Sequence, residues 1–245
     1  MILMAELRVL ITAAGKGSRA GLPYPKTLYP IQGKPILVRL HELLSEWDAH
    51  PTVIVNGAGE SQMKTCLSDR GYSAHWIIQS EPKGMGDAVL KFQESPAYES
   101  TDDILLVWGD IPFLQPGTVA AVVDSHREHQ NDFTFATRVV ESAYTVVTRD
   151  GDGDILKVIE TREGGSLTPM AGEREIGFFV FRKDPVLAML REDLPDKYGK
   201  TTGEHGFLYV IGHLVSRGYR VQGLPIATDL DLISLNSLKD VESFL

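Results

Sequence analysis

Cysteine is nearly absent from this chain: Cys66 is the single one among 245 residues. One thiol excludes an internal disulfide framework and leaves too few thiolates for a structural zinc site. It stands in Met63-Lys64-Thr65-Cys66-Leu67, a helical-looking stretch where packing rather than nucleophilic catalysis is expected. Positive charge is scarce as well, with 24 Lys and Arg against 33 Asp and Glu and a formal net charge of −9. That balance argues against a nucleic-acid surface or a polybasic membrane patch, so any anion site must be local. No run approaches the ~20 apolar residues that a membrane-spanning helix needs. The apolar N-terminus, Met1 to Arg8, lacks a basic n-region and a small-residue cleavage site. A cytoplasmic protein is expected, with neither nucleic acid nor membrane as a partner. Internal repeats are absent too. With 43% hydrophobic residues the chain can bury a full core, and one domain with an elaborated second half is expected.

What is present concentrates in Leu10-Ile11-Thr12-Ala13-Ala14-Gly15-Lys16-Gly17-Ser18-Arg19 and in Pro25-Lys26-Thr27-Leu28 shortly after it. The apolar run from Leu7 to Ile11 reads as a buried strand that empties into small residues and glycines, where a backbone can approach a ligand. Backbone N–H groups of such a turn, flanked by Arg19 and Lys26, make a receptor for a polyanion, most simply a triphosphate. An ordinary connecting turn is the competing reading. Gly15-x-Gly17-x-x-Ala20 also satisfies the dinucleotide fingerprint, but that motif needs a helix to start on its glycines. Gly21, Pro23 and Pro25 deny it one, so the loop should stay extended and wrap its ligand. A P-loop fails because no Gly-Lys-Ser/Thr stands at the right offset.

Further along, Pro35 opens a helical stripe of Ile36, Leu37, Leu40, Leu43, Leu44 and Trp47. Strands are predicted at 52–55, 74–79 and 104–108, with helices at 60–68 and from Gly84 to Leu90, where Asp87 suits the positive helix end. The alternation predicts an α/β fold with a Rossmann-like, mostly parallel sheet flanked by helices. Ligands collect beyond the carboxyl ends of such strands, and residues 12–19, 79–86 and 109–112 are expected to face one crevice. The second half changes character. Shorter strands at 133–139, 144–148, 155–160 and 175–181 surround the turn Asp150-Gly151-Asp152-Gly153, read as a hairpin because no twelve-residue calcium frame with a terminal Glu is present. This predicts a β-rich substrate-binding subregion. Residues 161–173 look like a mobile loop, 203–216 a helix, 219–224 a strand, and Asn236-Ser237 the start of a last helix. The single domain would thus hold a nucleotide-binding half over about 1–130, an acceptor-binding half over about 131–230 and a C-terminal helix. His126 and His129 lie on a polar helical stretch and read as surface imidazoles, like His205 and His213 no evident metal site. Trp108, beside Gly109-Asp110, could wall the crevice.

Gly15-Lys16-Gly17-Ser18-Arg19, the Pro25-Lys26 that follows, and Trp108-Gly109-Asp110-Ile111-Pro112 resemble the sugar-1-phosphate nucleotidyltransferases. The order of landmarks is most similar to the uridylyltransferase domain of the bifunctional N-acetylglucosamine-1-phosphate uridylyltransferases. The resemblance implies Mg²⁺-dependent attack of a phosphomonoester on the α-phosphorus of a nucleoside triphosphate, driven by positioning and charge neutralisation. It implies that the backbone of Ala13, Ala14, Gly15, Lys16, Gly17 and Ser18, with Arg19, holds the β- and γ-phosphates, and that Lys26 sits near the α-phosphoryl group. Asp110 and Asn236 would bind Mg²⁺. Gln79 and the backbone of Gly84 and Met85 would read the base, with UTP or CTP favoured. Trp108, Gly109, Glu160, Gly177 and Glu204 would meet the phosphorylated small-molecule acceptor, Glu160 through sugar hydroxyls.

Departures fall on the acceptor side. Glu175-Ile176-Gly177-Phe178-Phe179 replaces an Asn-Thr-Gly segment, a glycine is replaced near Tyr144-Thr145, and Gly203-Glu204-His205-Gly206-Phe207 loses the tyrosines after Gly-Glu. The acceptor therefore stays open between a sugar 1-phosphate and, for a cytidylyltransferase, a phosphorylated alcohol or amino compound. A non-catalytic nucleotide-binding regulatory subunit is the reading from another class. The family's C-terminal hexapeptide-repeat domain, its trimerising element, has no counterpart in this sequence, so a monomer or small homo-oligomer is expected.

Overall fold

Leu7, Val9, Leu10 and Ile11 are all buried, as the apolar run requires, and they form β1 (Leu7–Ala13) in this computed structural model. The structure describes residues 5–15, 21–161 and 170–244, so the expectations for Lys16, Gly17, Ser18 and Arg19 lie outside it. The described chain divides into two units, one comprising Met1–Pro82, Lys91–Pro116 and Asp229–Leu245, the other Lys83–Leu90 and Gly117–Thr228.

In the first unit β1 is followed by a two-strand ribbon, β2 (Pro30–Ile31) and β3 (Lys34–Pro35). Gln32 and Gly33 take φ of 52° and 75°, the left-handed pair that a two-residue hairpin turn demands. Helix α1 (Ile36–Leu44) starts behind Pro35 and buries Ile36, Leu37, Leu40 and Leu44; it stops short of Trp47. Then come β4 (Thr52–Val55), α2 (Glu60–Ser68), β5 (His75–Ile78) and β6 (Asp103–Trp108). The order is β6-β1-β4-β5, every pair parallel, with Leu10 opposite both Thr52 and Leu106. Parallel strands put all their carboxyl ends at one edge, so residues 14–15, 56–59, 79 and 109–110 leave this sheet on the same side. Side chains of β4 are buried throughout, each apolar one contributing about 1.5–3 kcal/mol. The expected terminal helix is instead two 3-10 turns, Leu238–Asp240 and Glu242–Phe244. Asp240 folds back to accept from the N–H groups of Asn236 and Ser237, at 3.0 and 2.6 Å, and so caps the first of these turns.

In the second unit α3 (Met85–Leu90) and α4 (Pro116–Glu128) precede β7 (Phe133–Ala143), β8 (Thr145–Arg149), β9 (Ile155–Glu160) and β10 (Met170–Arg182), then α5 (Lys183–Arg191), α6 (Tyr209–Ser216) and β11 (Val221–Leu224). Strand β7 pairs antiparallel with β10 and parallel with β11. Strands β8 and β9 form the expected hairpin, its turn tied by the Asp150 carboxylate to the N–H groups of Asp152 and Asp154. Phe133, Phe135, Phe179, Phe181 and Phe207 build one aromatic cluster, with the rings of Phe133 and Phe181 stacked 5.4 Å apart. Three expectations change here. The predicted loop over 161–173 gives way to strand at Met170, because Gly172, Glu173, Arg174 and Glu175 pair with β7. The helix predicted from Gly203 starts only at Tyr209, since His205 is drawn into extended pairing with Lys83 and Tyr198. His126 is no surface imidazole: it is 2% exposed, its Nδ1 3.0 Å from Thr134 Oγ1. Among the described residues, no helix is long and apolar enough to cross a membrane.

Candidate active site

The first unit assembles the end of β1, the segment at 25–28 and the end of β6 around small residues. Lys26 opens a 3-10 turn, Lys26–Leu28, that buries Thr27, whose hydroxyl lies 3.4 Å from Met63 Sδ. A side chain at Gly59 would collide with the ring of Pro25, so glycine there lets Pro25 and Lys26 settle on the 56–59 turn. Gly109 has no room either: a Cβ would stand 2.8 Å from Thr27 Cγ2 and 2.9 Å from Thr12 O. Gly109, expected to meet the acceptor, thus has a packing duty in closing the 26–28 turn onto β6, and its N–H bonds Thr12 O at 2.9 Å. The Lys26 stem runs beside Gly15, Cε lying 3.8 Å from where that residue's Cβ would be. Lys26 Nζ donates to Asp110 Oδ2 in a short ion pair. Lys26, Gly15 and Asp110, separated by up to 95 positions in sequence, are therefore neighbours.

Asp110 has a second oxygen, Oδ1, that is buried and accepts no hydrogen bond among the described residues. A buried, unsatisfied acceptor costs about 1–3 kcal/mol, a cost native structures retain where a ligand supplies the missing partner. The Asp110 carbonyl accepts from Leu235 N at 2.8 Å, which fixes the backbone immediately before Asn236 at this strand end. Asn236 Nδ2 donates to Ser234 Oγ at 2.8 Å, which leaves the amide oxygen facing away from that bond. Two oxygen donors, one with an orphaned lone pair, fit a hard divalent cation that arrives with phosphates and keeps several waters. Among the described residues no cluster of three His, Cys, Asp or Glu could hold a metal unaided.

Asn56, which directly follows β4, was not among the expected site residues. Its Nδ2 donates to Ala14 O at 3.1 Å while its Oδ1 accepts from Gly59 N at 2.8 Å. Asn56 thereby pins the carbonyl of the residue entering the glycine loop, and an Asn-Gly pair at the carboxyl end of the neighbouring strand was the available signal. Thr12 Oγ1 is a further buried hydroxyl without a hydrogen-bond partner among the described residues. Trp108 ends β6 opposite Thr12 and is partly buried. Gln79 follows β5, is 5% exposed, and donates its backbone N–H to Val55 O at 2.8 Å.

The second unit holds Gly84, Met85, Glu160, Gly177 and Glu204. Gly84 has φ of +105°, and a side chain there would strike the backbone of His205. Met85 is the first residue of α3. Glu160 closes β9 opposite Thr145. Gly177, at φ +75°, sits in an irregular stretch of β10 where its N–H donates to the Glu175 carboxylate. Thr145 Oγ1 donates to the same carboxylate at 2.9 Å, and Glu175 is 1% exposed. The two segments expected to depart from the resembled family, near Tyr144-Thr145 and over 175–179, therefore meet on one buried acid. Nearby, Arg149 makes a bidentate fork to Glu173 at 2.6 and 2.7 Å and also donates to Gly223 O, tying the β8–β9 hairpin to β10 and β11. That fork holds the Glu173 carboxyl below its ordinary range. Glu204 is exposed. The His205 ring is 5% exposed and its pKa is driven down to about 4, by burial first and by Lys197 second, with Asp87 opposing.

Comparison with known proteins gives these residues a context. The sequence profile of the MobA-like NTP transferase domain matches residues 9–200. The bifunctional protein GlmU of Buchnera aphidicola subsp. Schizaphis graminum is 32% identical over 181 residues, 73% of this chain and 38% of that protein. GlmU of Gloeobacter violaceus is 35% identical over 162 residues, 65% of this chain and 35% of its own length. The chain thus spans under two fifths of these relatives. A crystal structure from Bacillus anthracis, of a protein assigned as a glucose-1-phosphate thymidylyltransferase and holding sucrose, superposes with a TM-score of 0.75 over 97% of this chain and 93% of that one. Its 16% identity speaks for a shared fold.

Proposed function

Since the chain belongs to the MobA-like NTP transferase domain family, we propose that it is a nucleotidyltransferase joining a nucleoside triphosphate to a phosphorylated small molecule, most simply a sugar 1-phosphate. An ionised oxygen of the acceptor phosphate attacks the α-phosphorus, the bond from that phosphorus to the β-phosphate bridging oxygen breaks, and pyrophosphate leaves with the electron pair. The acceptor is already an anion at neutral pH, so no protein nucleophile or strong base is required. One observation carries the reading: Lys26, Gly15 and Asp110 converge where the adjacent strands β1 and β6 end, with a buried Asp110 oxygen left without a donor among the described residues. Lys26 offers a point charge to the α-phosphoryl group, and the backbone from Ala13 onward offers N–H groups to the phosphates behind it. Asp110 and Asn236 would hold Mg²⁺, which when bound neutralises phosphate charge. Arg19, with Lys16, Gly17 and Ser18, is proposed to complete the phosphate contacts.

Gln79 is proposed to read the base. Its amide can present either a donor or an acceptor by flipping, which suits uracil and cytosine alike and supports UTP or CTP. Gly84 and Met85 are proposed to contribute backbone groups to base reading. Glu160, Gly177 and Glu204 are proposed to meet the acceptor. The test is a pyrophosphate-release screen of four NTPs against sugar 1-phosphates, phosphorylated alcohols and phosphorylated amino compounds. Turnover of UTP or CTP with a sugar 1-phosphate, lowered by orders of magnitude in Lys26→Ala, is the expected result. NTP binding with silence across the whole panel would overturn the enzymatic reading in favour of a regulatory subunit.

A further inference from the structure

The backbone at 83–86 is held by one residue from a distant loop. His205 N donates to Lys83 O at 2.7 Å and His205 O accepts from Gly86 N at 3.0 Å, a two-bond ladder. The contact is so close that neither glycine tolerates a side chain. A Cβ on Gly84 would stand against the His205 carbonyl and 2.8 Å from its nitrogen, while one on Gly86 would lie 2.7 and 2.8 Å from Cδ2 and Nε2 of the imidazole and against Gly206 O. The ring itself therefore abuts the first turn of α3.

The loop carrying His205 is braced from behind. Gly206 N donates to Lys197 O at 2.8 Å, Gly199 N to Glu204 O at 2.9 Å and Gly203 N to Gly199 O at 2.8 Å, closing residues 197–206 into a hairpin. Lys197 Nζ donates in turn to the carbonyls of Arg191 and Glu192 at the end of α5. The imidazole packs between Tyr198 and Tyr209, with ring centroids 5.7 and 6.0 Å away, and its Nε2 lies 3.3 Å from the Tyr209 hydroxyl. That hydroxyl also donates to Met189 O, at 3.4 Å. The ring thus sits in a wedge whose position is set by α5 and α6.

We propose that His205 is a positioning residue for nucleotide selection: its ring and backbone fix the Gly84–Gly86 segment so that backbone groups there can discriminate one base from another. The inference rests on the proposed role of Gly84 and Met85 in base reading. Recognition through backbone groups depends on placement within about half an ångström, which a wedge of this kind supplies. The wedge acts by volume and shape. Alanine at 205 leaves a gap beside Gly86, whereas phenylalanine keeps the ring and loses only a bond that the Tyr209 hydroxyl can do without.

The experiment measures dissociation constants of ATP, GTP, CTP and UTP by calorimetry for the full chain, for His205→Ala and for His205→Phe, with hydrogen exchange of the peptide covering residues 83–90. In His205→Ala the best-bound NTP is expected to weaken at least tenfold and the others less than threefold, with faster exchange at 84–87. In His205→Phe the wild-type ranking should return to within threefold. If His205→Ala keeps the wild-type ranking and affinities, the inference is overturned while the base-reading role stands, whatever happens to its melting temperature. If the wild type binds all four NTPs equally, base reading at this segment falls and takes the inference with it.

Discussion

Acid should destabilise this protein through His205, and the size of the effect follows from its surroundings. In the folded chain the imidazole is buried, with its pKa held down to about 4 against an ordinary 6.5. Burial is the larger cause and the Lys197 ammonium the second, while Asp87 pulls the other way; the rings of Tyr198 and Tyr209 flank the imidazole. A base whose folded pKa lies below its unfolded value binds its proton preferentially in the unfolded chain. Its contribution to stability is therefore complete above about pH 6.5, shrinks as pH falls from 6.5 towards 4, and is exhausted below that. The gap corresponds to about 2 kcal/mol lost by pH 5 and about 3 kcal/mol by pH 4. Against a typical total of about 5–15 kcal/mol that loss is large. Urea unfolding followed by far-UV circular dichroism at pH 7, 6, 5 and 4.5 measures it, with His205→Phe as the reference that keeps the ring but cannot titrate. Carboxylates such as Glu173 lose their pairing in both proteins, so they cancel in the difference. Wild type should fall by about 2 kcal/mol more than the variant between pH 7 and pH 5. Parallel pH profiles for the two proteins would refute the argument.

Asp110→Asn should weaken Mn²⁺ binding at least tenfold in the presence of an NTP, read by paramagnetic relaxation of water, because it removes the formal charge from the Asp110–Asn236 donor pair; unchanged binding would remove Asp110 from the metal site. Asn56→Ala should raise the KM for the NTP several-fold with kcat changed much less, since it releases Ala14 O and Gly59 N rather than a group at the reacting phosphorus. Equal loss in kcat and kcat/KM would contradict that role. Glu173→Gln should cost about 2 kcal/mol of stability at pH 7 by leaving the Arg149 fork half-made. Because the Glu173 pKa is lowered in the fold, its contribution is present above the ordinary carboxylate pKa and lost as pH falls, so the difference between wild type and variant should close in acid.

Local chemistry was legible where it repeats at short range. The apolar run of β1, the stripe behind Pro35, the β4 run and the Asp150 turn each fix their own backbone by periodicity or turn preference, and each formed within a few residues of the expected bounds. The alternation of strands and helices determined the parallel sheet, and Gly15, Lys26 and Asp110, singled out from the sequence, lie together in the fold. Distant partners were not legible. Nothing local says that the backbone of His205 will claim Lys83 and Gly86, so the helix expected from Gly203 was placed six residues early. Likewise, the terminal residues form two short 3-10 turns in place of the expected helix, the first of them capped by Asp240. His126 looked exposed on a polar helix because its own neighbours are polar, yet the side it presents meets Thr134. The sequence by itself determined the elements, the fold class and the residue types able to meet a triphosphate. Only the tertiary structure decided which carboxylate oxygen lacks a partner, which glycines exist because a backbone passes against them, and which Asn and His hold the loops in place. Periodicity and turn preference act within a few residues, whereas packing and hydrogen bonding join residues whose separation along the chain carries no signal.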